Sequence, residues 1–278
     1  MAILMKGKSL ALRIQEEIQE KAKRLEPKPK LGIIMVGNNP ASKIYVNKKK
    51  DALESTGLLF QMLALEESIP QRDLENHIEA MNQDPLIHGI LVQLPLPHHI
   101  CTQDILQKVS PQKDVDGFHP VNVGRLSMGM KPYAISCTPY GIIKLLEEYK
   151  ISIEGKHAVI VGRSNIVGKP MASLLLNQNA TVTLCHSKTT SLQSFCSQAD
   201  ILVAAVGIPK LIQASFVKEG AVVIDVGINR TTEGKLVGDV DFSEVEKKAS
   251  YITPVPGGVG NMTVAMLLSN IVNLASGQ

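Results

Sequence analysis

The sequence contains no tryptophan, and aromatic residues make up only 4% of its 278 residues. It also lacks any apolar stretch close to the roughly 20 residues that a membrane-spanning helix needs. Hydrophobic residues nevertheless account for 44% of the chain, so leucine, isoleucine, valine and methionine must fill the core. The length allows one large or two ordinary domains.

Cysteines are few and irregularly spaced, with no CxxC pair among Cys101, Cys137, Cys185 and Cys196. This pattern argues against a disulfide framework and predicts free thiols in a reducing compartment. The apolar run at the start of the chain is too short for a signal peptide. We therefore expect a soluble cytoplasmic protein that does not bind a membrane.

The sequence lacks the motifs that are typical of several classes of active site. His98, His99 and Cys101 are close in sequence, but their spacing suits no usual zinc site, so we expect no metal. There is no GxSxG nucleophile motif. The net charge of +3 permits an anionic ligand but does not indicate a nucleic-acid partner.

Short apolar runs alternate with helical patterns along most of the chain, which predicts an α/β fold with parallel sheets. The predicted strands are 31–36, 58–65, 87–94, 158–161, 180–184, 201–206 and 221–226. The main predicted helices are 9–25, 41–56, 72–82, 138–150 and 262–274. Residues 110–137 are turn-rich and weakly periodic, so we expect a functional loop there. Thr138 is the predicted cap of the helix that joins two domains.

The stretch 157–170, HAVIVGRSNIVGKP, reads as a buried strand, a polar turn and a helix start. Backbone N–H groups at such a helix start can bind a phosphate. The usual dinucleotide pattern has glycines at positions 0, 2 and 5. Here Gly162 is followed by Ser164, Val167 and Gly168, so the turn is a variant. A plain strand–turn–helix remains the alternative from this stretch alone.

The next strand ends in the sequence LCHSKT, which includes Ser187 and Lys188. An NAD site usually has an acidic residue here to bind the ribose hydroxyls. Without one, nothing repels a 2′-phosphate, and Arg163 lies in the preceding turn. The sequence therefore predicts NADP rather than NAD as cofactor.

The other half carries candidate catalytic groups. Tyr45 and Lys49 are four residues apart and share a helix face. Four apolar residues place the buried side of this helix near Tyr45, namely Ala41, Ile44, Ala52 and Leu53. Periodicity barely separates Lys48 from Lys49, and only the spacing to Tyr45 favours Lys49. A lysine-rich, solvated helix is the alternative.

Two further polar residues are candidates. Gln93 ends the third predicted strand, where ligands commonly bind, and its amide can both donate and accept hydrogen bonds. Asp116 lies in the irregular loop, where its carboxylate could bind a ring that carries N–H donors.

Read together, the strings VGNNPASKIYVNKKK, GILVQLPLP, KDVDGFHPVNVGRL, VIVGRSNIVGKPMA and TPVPGGVGNMT resemble the bifunctional methylenetetrahydrofolate dehydrogenase/methenyltetrahydrofolate cyclohydrolase (FolD-type) family. The resemblance covers nearly the whole chain. It implies NADP-dependent oxidation of 5,10-methylenetetrahydrofolate, then hydrolysis to 10-formyltetrahydrofolate, in a homodimer.

The resemblance also implies domains and residue roles. A folate-binding catalytic domain would span 1–140, with the final helix (262–278) packed back on it, and a Rossmann-like NADP-binding domain would span 141–261. The active-site cleft is expected between them. Lys49 would be the catalytic lysine, Gln93 its holder, Tyr45 a stacking partner of the folate and Asp116 a ligand of the pterin ring. The implied cofactor-binding residues are Gly162, Arg163, Ser164, Ser187 and Ile228.

Two positions depart from the family pattern. Asn261 replaces a common proline, where we expect it to cap the last helix, and Ser136 replaces a proline before Cys137. Two other functions remain as alternatives, a monofunctional dehydrogenase of the same fold and a nucleotide sensor without turnover. As a further hypothesis, the basic surface suits polyglutamylated folates.

Overall fold

A computed structural model of the protein describes residues 1–277, apart from the side chain of Ala41. Gln278, the last residue of the predicted final helix, and the predicted burial of Ala41 therefore lie outside the described residues. Within them, no helix is long and apolar enough to cross a bilayer.

The structure alternates strands and helices, as the sequence pattern predicts. The strands are β1 (Ile3–Leu4), β2 (Lys30–Val36), β3 (Leu59–Leu65), β4 (Gly89–Val92), β5 (His157–Val161), β6 (Thr181–Cys185), β7 (Ile201–Ala204), β8 (Val222–Asp225), β9 (Asn229–Arg230), β10 (Leu236–Val237) and β11 (Tyr251–Ile252). The α-helices are α1 (Lys8–Ala22), α2 (Pro40–Ser55), α3 (Gln71–Gln83), α4 (Thr102–Lys108), α5 (Pro120–Ser127), α6 (Cys137–Glu148), α7 (Gly168–Leu176), α8 (Leu192–Cys196), α9 (Phe242–Val245) and α10 (Val259–Ala275).

The chain divides into two compact units, each built on a parallel sheet. The three-stranded unit comprises residues 13–136 and 264–277, and its strand order is β3-β2-β4. The six-stranded unit comprises Met1–Leu12 and Cys137–Thr263, and its strand order is β1-β11-β8-β7-β5-β6. Aliphatic side chains dominate both cores, which fits the scarcity of aromatic residues.

The first twelve residues differ from the expected division at residue 140. They belong to the six-stranded unit because β1 pairs in parallel with β11, with Ile3 opposite Tyr251 and Leu4 opposite Ile252. A two-residue strand is too short to show periodicity, so the sequence pattern could not place it.

Three local expectations were wrong. Residues 110–137 are not all irregular, because they contain α5, whose cap His119 accepts a hydrogen bond from the Val121 N–H. Thr138 does not cap α6, which already begins at Cys137; its hydroxyl lies 3.1 Å from that of Thr263. Asn261 lies inside the first turn of α10, where its side-chain amide donates to the Gly257 carbonyl at 3.1 Å.

Candidate functional site

The buried stripe of helix α2 singles out Lys49 among the neighbouring lysines. Ser42, Val46 and Leu53 are buried at helical spacing, and Lys49 lies on the same stripe, partly buried. Lys48 is exposed. The structure thus separates two lysines that periodicity alone could not.

Gln93 lies directly beyond β4 and holds Lys49. Lys49 Nζ donates to Gln93 Oε1 at 3.0 Å, while Gln93 Nε2 donates to the Leu94 carbonyl at 2.7 Å. The second bond fixes the amide so that its oxygen faces the lysine. Gln93 is 9% exposed, and its neutral amide orients the amine without adding a charge.

Tyr45 is more exposed than expected. Its side chain is 47% exposed, and Ile44, which we expected on the buried side of α2, is 52% exposed. The buried stripe runs through Val46 and Leu53 instead, and Val46 lies two positions after Ile44. The tyrosine ring is therefore accessible for stacking against a flat ligand.

The loop that carries Asp116 is fixed beside β4. Asp114 forms a parallel bridge with Ile90, and its carboxylate accepts the His119 backbone N–H at 2.8 Å and the Asn122 amide at 2.9 Å. Gly117 has a φ of +69°, and a β-carbon there would collide with the backbone at residues 135–136. Asp116 thus lies in a turn that tolerates little movement.

The carboxyl group of Asp116 has a pKa above its ordinary value. This pKa is raised to about 6, mainly by burial; the positive charge of Lys49 lowers it, and the nearby Asp114 carboxylate adds a smaller upward shift. The interaction with Lys49 places Asp116 near that lysine, so the structure brings Lys49, Gln93 and Asp116 together within one unit.

The six-stranded unit has a cavity at the carboxyl ends of its central strands. Val161 ends β5 opposite Cys185 of β6 and Ala204 of β7, so the residues that follow these strands meet at one edge. They line a cavity of about 330 Å³, which includes Gly162, Arg163, Ser164, His186, Ser187, Ala205 and Val206. Of the described residues that line this cavity, none is acidic, which fits a 2′-phosphate.

The unusual glycine spacing has a structural reason. Gly162 has a φ of +122°, and a β-carbon there would collide with the Ala205 carbonyl oxygen. A β-carbon on Gly168 would collide with the carbonyl of Gly162, so the two glycines pack directly together. Ser164 Oγ accepts the N–H groups of Val167 at 3.1 Å and Gly168 at 3.3 Å, at the start of α7. The two glycines therefore let the turn pack tightly against the loop after β7 and against the start of α7.

The cavity thus gathers four of the five predicted cofactor residues. Ile228 is not among its lining residues and is 53% exposed, beyond the end of β8. Sequence reasoning missed two buried carboxylates nearby, Asp225 and Asp239. Their signal was an acidic residue at the end of an apolar strand, VVID, and another after a glycine, VGDV.

A second cavity in this unit, about 400 Å³, lies at the opposite, amino ends of the strands and includes Lys156, Asp200 and Lys218 in its lining. Ligands of open α/β sheets bind beyond the carboxyl ends of the strands. The cavity of about 330 Å³ at those ends is therefore the better cofactor site. Among the described residues, no three His, Cys, Asp or Glu side chains are grouped to hold a metal ion.

Comparison with known proteins covers both units. Residues 5–116 match the model of the tetrahydrofolate dehydrogenase/cyclohydrolase catalytic domain, and residues 136–278 match that of the NAD(P)-binding domain of the same family. The chain is 56% identical over 279 residues to the bifunctional protein FolD of Streptococcus thermophilus, covering 99% of this chain and 98% of that one.

Solved structures of related enzymes also match this chain over nearly its whole length. The bifunctional FolD methylenetetrahydrofolate dehydrogenase/cyclohydrolase of Campylobacter jejuni matches with a TM-score of 0.98 at 52% identity, over 100% of this chain and 99% of that one. The Trypanosoma brucei enzyme, solved with NADP and an inhibitor, matches with a TM-score of 0.93 at 38% identity, over 99% of this chain and 97% of that one. The chain belongs to the tetrahydrofolate dehydrogenase/cyclohydrolase family.

Proposed function

We propose that Lys49, Gln93, Tyr45 and Asp116 carry the folate chemistry of this chain, and that Gly162, Arg163, Ser164, Ser187 and Ile228 bind its cofactor. The chain is a bifunctional, NADP-dependent enzyme of folate one-carbon metabolism. It oxidises 5,10-methylenetetrahydrofolate to the 5,10-methenyl compound and hydrolyses that product to 10-formyltetrahydrofolate. The observation that carries the residue assignment is the 3.0 Å bond from Lys49 to Gln93, with Asp116 nearby.

The oxidation needs positioning more than acid–base catalysis. The methylene carbon loses a hydride, and the two flanking nitrogens share the resulting positive charge, so no proton has to move. NADP, when bound, supplies the hydride acceptor. The chain contributes geometry, because the substrate carbon must be held at the nicotinamide. Tyr45 stacks on the folate, and the Asp116 carboxylate accepts N–H groups of the pterin ring.

The hydrolysis needs a group that handles a proton. Water adds to the cationic methenyl carbon and loses a proton, and the ring then opens to the formyl product. In its unprotonated form, the amine of Lys49 can orient this water and take its proton. Gln93 keeps the amine in place by accepting one of its N–H groups, which leaves the lone pair of the amine free for the water.

The cofactor residues fit NADP by shape and charge. Only glycine fits at position 162, because a β-carbon would collide with the Ala205 carbonyl oxygen, and this keeps the turn tight at the edge of the cavity. Arg163 and Ser187 supply a cation and a hydroxyl for the 2′-phosphate. Ile228 offers an apolar side chain, 53% exposed, for the cofactor to cover.

We also propose a homodimer in the cytoplasm, acting on reduced folates that include polyglutamylated forms. Exposed apolar side chains such as Leu176 favour self-association, and the four cysteines are free thiols, as a reducing compartment requires. Light scattering of the purified chain tests the dimer, since a monomer mass at micromolar concentration would contradict it.

One assay tests the function. The enzyme is mixed with NADP and methylenetetrahydrofolate, and the methenyl compound is followed by its absorbance. A bifunctional enzyme makes the methenyl compound and accelerates its decay. A monofunctional dehydrogenase would leave the decay at the uncatalysed rate, and a nucleotide sensor would form none.

A further inference from the structure

Asp239 links two loops of the six-stranded unit although it lies outside the cofactor cavity. Its side chain is fully buried. Oδ2 accepts the backbone N–H groups of Val206 at 2.7 Å and Gly207 at 3.0 Å, and Oδ1 accepts the side-chain amide of Asn229 at 2.9 Å. One carboxylate therefore ties the loop after β7 to the segment after β8.

The surroundings of Asp239 are shaped to hold it. Asp225 accepts the backbone N–H of Asp239 at 2.9 Å, together with those of Gly227 and Val240. A β-carbon on Gly227 would collide with the Asp239 carboxylate, and one on Gly238 would collide with that of Asp225. Both glycines are therefore required by the carboxylates.

The bonds to Asp239 determine which way two carbonyl groups face. A trans peptide is planar, so its C=O points opposite to its N–H. Because the N–H groups of Val206 and Gly207 point at Asp239, the carbonyls of Ala205 and Val206 point away from it. Both residues line the cofactor cavity, and the Ala205 oxygen lies against Gly162. Within the described part of the chain, no donor is bonded to the Val206 carbonyl oxygen.

We propose that Asp239 is a positioning residue for the cofactor, holding the Ala205 and Val206 carbonyls toward the cavity as acceptors for a hydroxyl or amide N–H of the dinucleotide. It acts through the backbone and does not touch the cofactor. The same carboxylate restrains Ile228, which lies between Gly227 and Asn229.

The test is a paired substitution. In Asp239→Asn the negative charge is lost, and the new NH₂ group either meets the NH₂ group of Asn229 or forces that amide to flip, so the acceptor for the Val206 and Gly207 N–H groups is weakened. We expect the KM and the calorimetric Kd for NADP to rise about tenfold, the usual effect of losing a charged hydrogen bond. Asn229→Asp alone places two carboxylates together and has the same effect. In the double variant the new amide donates to the new carboxylate, and NADP affinity returns.

Hydrolysis of added methenyltetrahydrofolate requires no cofactor, so it reports whether the variants are folded. We expect it to stay near the wild-type rate in all three. Asp200→Asn is the matched control, because its carboxylate also accepts a backbone N–H, from His157 at 2.9 Å, but at the amino ends of the strands. Its affinity for NADP should not change.

Unchanged NADP affinity in both single variants overturns the proposal. So does a parallel loss of hydrolysis and NADP binding that the double variant does not reverse, because that is the signature of a purely structural residue. If Asp239→Asn does not fold, the comparison of Asn229→Asp with the double variant tests the proposal. A higher NADP affinity in the double variant than in Asn229→Asp supports it, and equal NADP affinities in the two variants overturn it.

Discussion

Asp116 lowers the stability of the folded chain at neutral pH, at the position where we propose that it binds the folate. Burial raises the pKa of its carboxyl from the ordinary 3.8 to about 6, so the native state disfavours the charged form. Between about pH 4 and pH 6 the native state therefore holds a proton that the unfolded chain has released. The contribution of this residue to stability falls as pH rises through that window, by up to about 3 kcal/mol.

Asp116→Asn should therefore be more stable than wild type at pH 8 and equally stable at pH 4, by thermal unfolding. Its KM for folate should rise at pH 8, because an amide cannot replace a carboxylate that accepts N–H donors. The wild-type KM should rise as pH falls below 6, and that of the variant should stay flat. Asp51→Asn, exposed on α2, is the control. An unchanged folate KM in Asp116→Asn would exclude the ring contact.

A substitution at Ser187, again a single residue, tests the preference for NADP over NAD. Ser187 lines a cavity whose described lining has no acidic residue, so Ser187→Asp introduces a charge that repels a 2′-phosphate and can accept ribose hydroxyls. We expect the ratio of kcat/KM for NADP to that for NAD to fall at least about tenfold. Ser187→Asn, of similar size and neutral, should shift it less. Equal shifts in both variants would point to size rather than charge.

At the scale of helices and strands, the length and regularity of the hydrophobic pattern determined which elements could be predicted. The buried strands β2, β5 and β7 are continuous apolar runs bounded by turn residues, and their positions were predicted to within a few residues. Helix α5 has eight residues and a glycine in its middle, too short to show a 3.6-residue period. Its start depends on the His119 side chain, an uncommon cap.

Helix α10 gives an element-scale prediction, because it supports the Asp116 loop. Asn270 is buried and its side-chain amide donates to the carbonyls of Val115 and Ile135, both at 2.8 Å. Asn270→Ala leaves the Val115 and Ile135 carbonyls without that donor, at a cost of about 2 kcal/mol. We expect a lower thermal midpoint and a higher folate KM, with NADP affinity unchanged. Asn273→Ala, on the same helix and partly exposed, is the control; equal effects in both would deny Asn270 a specific role.

For the whole molecule, the sequence could predict two α/β units, because apolar runs and strand ends are local signals; the roles of the candidate residues stay predictions. It could not place β1, whose partner β11 lies about 250 residues away in sequence. It could not find Asp225 and Asp239 either, because their importance comes from backbone groups that only the fold brings to them. Periodicity barely separated Lys49 from Lys48, whereas the buried stripe of α2 and the bond to Gln93 separate them clearly.

The most direct test of this account is the fate of the methenyl compound in Lys49→Met, with Lys48→Met as control. Both variants receive NADP and methylenetetrahydrofolate, and the methenyl absorbance is followed over time while circular dichroism confirms folding. We predict that Lys49→Met forms the methenyl compound and lets it accumulate, because the amine that handles the water is gone, whereas Lys48→Met behaves as wild type. Wild-type decay of the methenyl compound in a folded Lys49→Met variant would contradict the account.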